Sequence, residues 1–260
     1  MFANERQNEL IRLIKTKGAV RVGQIARAFS VSNETVRRDL LILEKQKLLQ
    51  RVHGGAVAVS QMKPYNRLPE RINDNSSKKA MLAEIAISFI NEQDIISIDS
   101  GSTSLGFVEL IKSKFANLTI VTHSLDVFER LCVMDGFKVI LCGGQYLKEE
   151  NAFYGPLTHD AILNFHVSKA FVFPSAISLK NGVADYSMEL AEVQKVYMKN
   201  ADQIIIMADS SKYEKNAFIK LCELKPQYIY ITDSNLSDEI YALYKENNIN
   251  IFKEKRNCDE

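Results

Sequence analysis

The chain has 260 residues, enough for one large domain or two of ordinary size, and its apolar content of 46% is typical of globular proteins. Four scattered cysteines without a CxxC pair exclude a disulfide framework and a cysteine-rich zinc site, and no apolar run approaches the roughly 20 residues of a membrane span. The net charge of +1 is the sum of two parts with opposite charge. Residues 1–55 hold 11 Lys and Arg against 5 Asp and Glu, whereas the remainder holds 22 Lys and Arg against 27 Asp and Glu. This asymmetry predicts a polyanionic partner for the N-terminal part alone.

The first residues, Met1 to Arg6, lack the apolar core of a secretory signal. Free cysteines fit a reducing compartment. We therefore expect a soluble cytoplasmic protein with no membrane partner, no metal and no other cofactor.

The N-terminal segment predicts three short helices. Apolar residues at helical spacing favour a first helix from about residue 3 to Lys17, closed by Gly18. Residues 20–22 are predicted to be extended, and residues 22–29 to form a second helix with Phe29 inward. A turn at 30–32 follows, and Ser32 or Asn33 can cap the third helix. The apolar stripe of that helix is predicted to comprise Val36, Leu40, Leu41 and Leu43.

The third helix has the features of a helix that reads DNA. Asn33, Thr35 and one of Arg37 and Arg38 are candidates for contacts with base edges in the major groove. Residues 48–52 and 56–59 are predicted to be strands joined by a glycine turn, which completes a winged helix-turn-helix. The other arginine and the wing are expected to bind phosphates. The full set of DNA-binding candidates is Ser32, Asn33, Thr35, Arg37, Arg38, Arg51, His53, Gly54 and Gly55. Two alternatives stay open: adjacent arginines are often only a solvated face, and residues 51–55 can be an ordinary hairpin with a structural histidine.

A polar stretch with two prolines at residues 60–79 predicts a boundary between a DNA-binding domain at 1–59 and an effector-binding and oligomerisation domain at 80–260. The second domain alternates short apolar runs with helical patterns, which favours buried parallel strands and crossover helices. The predicted strands are 95–98, 118–121, 137–141, 170–173, 204–207 and 228–231. The predicted helices are 79–91, 104–113, 125–134, 187–200 and 237–246.

Small and polar residues follow four of these strands. In a parallel sheet the carboxyl ends of the strands share one edge, where ligands commonly bind. The loop after the first strand, residues 99–104, also begins a helix whose free amides suit a phosphate. Many such turns are merely capped helix starts, so that alternative stays open. The effector-binding candidates are Asp99, Gly101, Ser102, Thr103, Ser104, Thr122, His123, Ser124, Gly143, Gly144, Asp209 and Lys212. Glu189 and Glu192, one helical turn apart, are expected on a solvated face, with the alternative that one of them lines the ligand pocket.

Residues 32–40, Leu43-Glu44 and Arg51 to Ala56, with their RRDL and HGGA elements, resemble the signature of the DeoR family of bacterial transcription regulators. The strand-end residues resemble the sensor domain of the same family. The resemblance implies a sensor fold similar to ribose-5-phosphate isomerase, a phosphorylated sugar as effector, and a homo-oligomer. Two positions depart from the family pattern: His123 replaces a usual Asn, and Pro174-Ser175-Ala176 replaces a glycine-rich turn. Both departures bear on the identity of the sugar.

The sequence therefore predicts an α/β protein with a winged helix-turn-helix followed by a larger, mostly parallel sensor domain. The expected function is a repressor of sugar-metabolism genes that binds a double-stranded DNA operator and releases it when a phosphorylated sugar binds. The alternative is a phosphosugar isomerase with an appended DNA-binding module, although no acid-rich catalytic loop is evident. A third hypothesis is an architectural DNA-binding protein with an inert second domain.

Overall fold

A computed structural model describes residues 3–17, 19–46, 48–52, 55–58 and 67–253, and its backbone contacts divide the chain into two units, residues 1–63 and 64–260. The described part of the smaller unit is α1 (Ala3–Lys17), β1 (Ala19–Arg21), α2 (Val22–Phe29), α3 (Asn33–Lys45), β2 (Leu49–Val52) and β3 (Gly55–Ala58). Its strands pair antiparallel in the order β1-β3-β2. The predicted helix-turn-helix with a two-stranded wing is confirmed.

Apolar side chains from all three helices form the core of the smaller unit. Val36, Leu40 and Leu43 of α3 are buried there, as their spacing of four and three residues requires. Leu41 was predicted to belong to the same stripe, but its side chain is 37% exposed. It lies about 100° around the helix from Leu40, beyond the buried face. Phe29 is half-buried against this core.

The larger unit contains helices that flank a central sheet. They are α4 (Leu68–Arg71), α5 (Ser76–Ala86), α6 (Ser102–Lys114), α7 (Leu125–Leu131), α8 (Pro156–Leu163), α9 (Met188–Lys199) and α10 (Asp238–Glu246). Within the described ranges, no helix is both long and apolar enough to cross a membrane.

The central sheet has seven parallel strands. They are β4 (Ile95–Ile98), β5 (Leu118–Thr122), β6 (Phe137–Leu141), β9 (Val167–Val172), β12 (Ala201–Met207), β14 (Ile229–Ile231) and β15 (Asn250–Phe252). From one edge of the sheet to the other, their order is β15-β14-β12-β9-β4-β5-β6. Two smaller antiparallel sheets, which the sequence did not predict, contain β7 (Gln145–Leu147) with β8 (Ala152–Tyr154), and β10 (Ala176–Ser178) with β11 (Gly182–Asp185) and β13 (Ile219–Cys222). The predicted parallel α/β fold is confirmed.

The sheet separates two apolar cores because successive side chains of a strand point to opposite faces. Ile205 of β12 lies in one core with Leu82 of α5 and Phe107 of α6. Ile206 lies in the other core with Val193 of α9 and Tyr244 of α10. Helices therefore cover both faces, which explains why the strands are almost continuously apolar.

Part of the segment predicted as a linker, residues 60–79, has regular structure. The Leu68 amide donates to the Glu149 carbonyl at 3.0 Å, and the Leu68 side chain is buried. α4 and the start of α5 therefore belong to the larger unit, although the prolines and polar residues favoured a linker. Buried Leu68 and the turn at Asn75, whose φ is 53°, account for the difference. Residues 59–66 lie outside the described ranges.

Candidate functional site

α3 presents a polar face of the kind that was predicted for DNA contact. Ser32 caps the helix, since its hydroxyl accepts from the Thr35 amide at 3.1 Å. Asn33 and Arg38 are exposed, and Arg37 is exposed beside Glu34, with 3.5 Å between Nη1 and the carboxylate. An exposed pair of this kind contributes little stability, so Arg37 can exchange Glu34 for a nucleic-acid group at small cost.

A buried ion pair, which the sequence did not predict, connects this helix to α1. Arg6 Nε donates to Asp39 Oδ2 at 2.5 Å and Nη2 donates to Oδ1 at 3.2 Å, while Gln7 donates to the same carboxylate at 3.1 Å. Asp39 directly follows Arg38 and lies about 100° around the helix from it, on the buried face of α3. The Asp of the RRDL element therefore fixes the rotation of α3, and the arginines before it face outward.

The wing candidates are only partly described. Arg51 bonds to Glu44, with its Nε 2.7 Å from Oε2 and its amide 2.8 Å from Oε1. The Arg51 guanidinium, predicted to contact phosphate, is thus paired within the protein, although it remains partly exposed. Gly55 begins β3 and is buried. His53 and Gly54 lie outside the described residues.

Asp99 follows β4 and is completely buried. Its Oδ1 accepts from the Ser100 amide at 2.7 Å and lies 3.1 Å from His123 Nε2. Its Oδ2 accepts from the Phe173 amide at 3.1 Å and from Gln194 at 2.9 Å. Asp99 was among the effector-binding candidates, but four protein groups already surround its carboxylate. It joins the ends of β4, β5 and β9 instead.

His123 is also enclosed, and its ring packs near the ring of Tyr197. Nδ1 lies 2.6 Å from the Phe153 carbonyl, which can only accept, so Nδ1 carries a proton. Nε2 faces both the Ser100 amide and Asp99. The residue that departs from the family pattern therefore orders the loop after β4 from within the protein.

The hydroxyl groups at the end of β5 serve the local backbone. Thr122 Oγ1 donates to the Ile98 carbonyl at 2.8 Å and accepts from the Ser124 amide. Ser124 caps α7 by accepting from the Val127 amide. Both side chains are buried, so the structure does not present them to a cleft.

The glycines after β6 lie too far from the opposite end of the candidate site to share one small ligand with it. Four strand spacings separate β6 from β12, a distance of about 19 Å. Gly144 is needed for close packing, since a Cβ there would lie 2.1 Å from Thr158 Oγ1. Thr158 also donates to the Gly143 carbonyl. The close approach of Thr158 accounts for Gly144 without a ligand, whereas a Cβ at Gly143 would have no described atom within 4 Å.

The start of α6 is the part of the predicted site that is best suited to an anion. Gly101 has a φ of 123°, in the region that favours glycine, and no described side chain caps the helix there. Ser102 and Thr103 begin the helix, while the Ser104 hydroxyl donates back to the Gly101 carbonyl. The buried Ser100 hydroxyl, which was not among the predicted site residues, has no hydrogen-bond partner in the described structure.

Two lysines are linked electrostatically to this end of the sheet: the charge of Asp99 acts on Lys212, and the charge of Lys212 acts on Lys79. Lys212 donates to the Pro174 carbonyl at 2.8 Å, and burial lowers its pKa despite nearby Asp209. Lys79 of α5, which was missed by the sequence analysis, is 7% exposed. Burial and then the charge of Lys212 lower the pKa of Lys79 to about 8. An anion between these two ammonium groups would relieve their repulsion. We call the helix start at residues 100–103 together with Lys79 and Lys212 the anion site.

Three further carboxylates, those of Asp185, Glu189 and Glu192, have different surroundings. Asp185 is buried, and burial followed by the charge of Asp99 raises its pKa. Glu189 lines a cavity of about 370 Å³ with Tyr186 and Phe218, whereas Glu192 is exposed beside Lys195. Within the described residues, no cluster of three His, Cys, Asp or Glu could hold a metal ion.

Comparison with known proteins assigns both units. The DeoR-like helix-turn-helix domain matches residues 6–62, and the DeoR C-terminal sensor domain matches residues 74–234. An uncharacterized HTH-type transcriptional regulator of Bacillus subtilis is 32% identical over 91% of this chain and 91% of its own length. The lactose phosphotransferase system repressor of Staphylococcus epidermidis is 32% identical over 89% of this chain and 92% of its own. The transcriptional repressor AccR of Agrobacterium fabrum is 29% identical over 88% and 89%.

Among solved structures, ribose 5-phosphate isomerase A from Neisseria gonorrhoeae overlaps 53% of each chain with a TM-score of 0.39 and 18% identity. This overlap is too weak to bear on chemistry.

Proposed function

The chain belongs to the DeoR family of transcription regulators, and we propose that it is a repressor of sugar-metabolism genes that releases its operator when a phosphorylated sugar occupies the anion site. It is a DNA-binding regulator rather than an enzyme. Two of the relatives described above are named as repressors, one of them for a lactose phosphotransferase system. These names support the repressor assignment and the sugar class.

The observation that carries the effector proposal is that Lys79 and Lys212 lie close enough for the charge of Lys212 to lower the pKa of Lys79. Both ammonium groups are partly removed from water, and each has a lowered pKa. Such groups favour a bound anion because it restores the charged state that burial opposes. The start of α6 adds free amides and the unpaired Ser100 hydroxyl, which together suit a phosphate.

For DNA, we propose that Asn33, Thr35, Arg37 and Arg38 of α3 face base edges and backbone in the major groove. The exposure of Asn33, Arg37 and Arg38, together with the excess of positive charge in residues 1–55, supports this role. Arg51 would reach phosphate only by leaving Glu44. The protein would act in the cytoplasm as a homo-oligomer, a state that light scattering of the full chain measures directly.

The effector proposal is tested by thermal unfolding of the full chain with a panel of sugar phosphates, matched neutral sugars and inorganic phosphate. A ligand that binds only the native state stabilises it by RT ln(1 + L/Kd), where L is the free ligand concentration, so the melting temperature rises with that concentration. We expect phosphorylated sugars to stabilise and neutral sugars not to. Equal responses to both classes would contradict the anion site.

Operator binding is tested with duplexes that the full chain selects from a random library. Fluorescence anisotropy then gives the affinity for the selected duplex with and without a stabilising sugar phosphate. We expect the sugar phosphate to weaken binding. A sugar phosphate that stabilises the protein but strengthens operator binding would contradict the repressor assignment.

A further inference from the structure

Lys79 belongs to the anion site, yet its ammonium group also holds α4. Nζ donates to the Arg71 carbonyl at 2.5 Å and to the Ile72 carbonyl at 3.3 Å. These carbonyls are the last of α4 and the one after it, which have no partner within a helix of four residues. One side chain therefore joins the anion site to the carboxyl end of this short helix.

α4 depends on such external anchors. A single turn does not persist in water on its own. The Glu70 and Arg71 amides donate to the Arg67 carbonyl, and the Asp74 amide donates to the Arg71 carbonyl at 3.2 Å. The other anchors lie at residues 149–150. Leu68 donates to the Glu149 carbonyl, and Arg71 binds both oxygens of the buried Glu150 carboxylate. Weakening any anchor is therefore expected to loosen α4.

Lys78, the residue before Lys79, forms different contacts. Lys78 Nζ donates to the Ser210 hydroxyl at 3.0 Å, so this lysine contacts the loop that precedes Lys212. None of its described contacts involves α4. Lys78 and Lys79 thus carry the same charge on the same turn of α5, but only Lys79 bonds to α4.

We propose that Lys79 couples occupation of the anion site to the anchoring of α4, the first described helix that follows the DNA-binding unit along the chain. This inference rests on the proposed function, because it requires that an anion bind beside Lys79. A bound anion holds Lys79 in its charged form, and charged donors form stronger hydrogen bonds than neutral ones. The Arg71 and Ile72 carbonyls are then held more tightly, and the path from effector to DNA-binding unit begins at α4.

The groups around Lys79 fit this role. Lys212 and Arg71 disfavour its charge, whereas Asp209 and Asp74 favour it. Burial and repulsion dominate, so that part of the Lys79 population is neutral near pH 8 without a ligand. An anion at the site changes this balance directly.

The test is hydrogen exchange of the full chain, measured by mass spectrometry on peptides that cover residues 67–75. Inorganic phosphate is the probe, and chloride at equal ionic strength is the control. At pH 8 we expect phosphate to slow exchange of the Glu70, Arg71 and Asp74 amides by about threefold to tenfold. The Lys79→Met variant is expected to exchange faster than wild type without phosphate, and to show no slowing with it. Lys79→Arg, which keeps a charged donor, is expected to restore slow exchange.

Lys78→Met is the matched control, since it removes the adjacent charge and leaves the α4 contacts intact. We expect it to retain the slowing at saturating phosphate. Loss of the slowing in Lys78→Met to the same degree as in Lys79→Met would overturn the proposal in favour of a general charge effect. Phosphate that stabilises wild type without changing exchange in residues 67–75 would refute the coupling and leave the proposed function standing. If neither phosphate nor any sugar phosphate stabilises wild type, the anion site itself is wrong.

Discussion

The buried pair of Arg6 and Asp39 makes a quantitative prediction about the DNA-binding unit. Asp39→Ala removes a carboxylate that accepts three hydrogen bonds from α1 and leaves the Arg6 guanidinium without this counter-ion. Removing one partner of a buried ion pair costs roughly 3–5 kcal/mol. The two side chains are covered, but they lie near the surface of a small unit, so we expect the lower end, about 3 kcal/mol.

That loss is large for a unit of this size. About 60 residues give a free energy of unfolding of roughly 3–9 kcal/mol. A loss of about 3 kcal/mol in such a unit corresponds to a fall in melting temperature of about 12–24 °C. Asp39→Ala is therefore expected to leave the recognition helix partly unfolded at ordinary temperatures.

The aromatic residues of the chain allow a clean assay. The chain has no tryptophan, and all ten tyrosines lie at or after residue 65. Phe29→Trp therefore places the only tryptophan in the DNA-binding unit, whereas tyrosine fluorescence reports on the remainder. Urea unfolding followed by both signals should show the Asp39→Ala effect in the tryptophan transition, with the tyrosine transition unchanged.

Two controls separate the pair from general effects. Glu34→Ala removes an exposed partner of Arg37 from the same helix and should cost less than about 0.5 kcal/mol. Arg6→Met combined with Asp39→Leu leaves no unpaired charge and should be less destabilised than Asp39→Ala alone. The reasoning fails if Asp39→Ala costs no more than Glu34→Ala.

Three further predictions concern the two binding functions. Replacing both Arg37 and Arg38 with Ala should weaken binding to a selected operator by about 1–3 kcal/mol for each base contact, and unchanged anisotropy titrations would remove α3 from the interface. Lys212→Ala should abolish the rise in melting temperature with sugar phosphates while operator affinity persists, and a retained rise would exclude Lys212 from the site. Calorimetry at pH 8 in buffers of different ionisation enthalpy should show uptake of about half a proton per phosphate bound. The sign follows from the Lys79 pKa of about 8, which an anion raises, so the uptake should vanish well below pH 7; proton release at pH 8 would contradict it.

Much of the fold could be predicted from periodicity, because the strands are buried on both faces and the helices carry regular apolar stripes. Residues 118–121 and 204–207 illustrate this, since both runs became central strands. The short antiparallel pairs could not be predicted in this way. β10 and β11 have three and four residues, and their burial comes from packing on α9 and on neighbouring strands.

The candidate site was harder to predict, because the type of a residue does not show whether its polar atoms bind a ligand or other groups of the protein. Asp99, Thr122 and Ser124 are polar residues at strand ends, as expected. Their side chains, however, form hydrogen bonds with other groups of the protein. Lys79 ends a run of seven polar residues, 73–79, at the boundary between the predicted linker and the predicted helix. The only available signal was its position, three residues before the apolar pattern from Leu82 onward.

The occupation of Asp99 also gives a physical reason why the proposed anion site would bind a phosphosugar without transforming it. A general base must lie within hydrogen-bond reach of the proton that it removes. Both oxygens of Asp99 are already engaged by backbone amides, Gln194 and His123, and the carboxylate has no exposed surface. Asp209 accepts from the Ser211 amide and hydroxyl through Oδ1, and Asp185 accepts from the Ser175 hydroxyl and from Gln194. Both carboxylates are nearly as buried as that of Asp99. The groups that remain available at the anion site are donors: ammonium groups, free amides and a hydroxyl. Such a site can hold an anion and sense its charge, but it offers no free carboxylate to accept a proton from a sugar carbon.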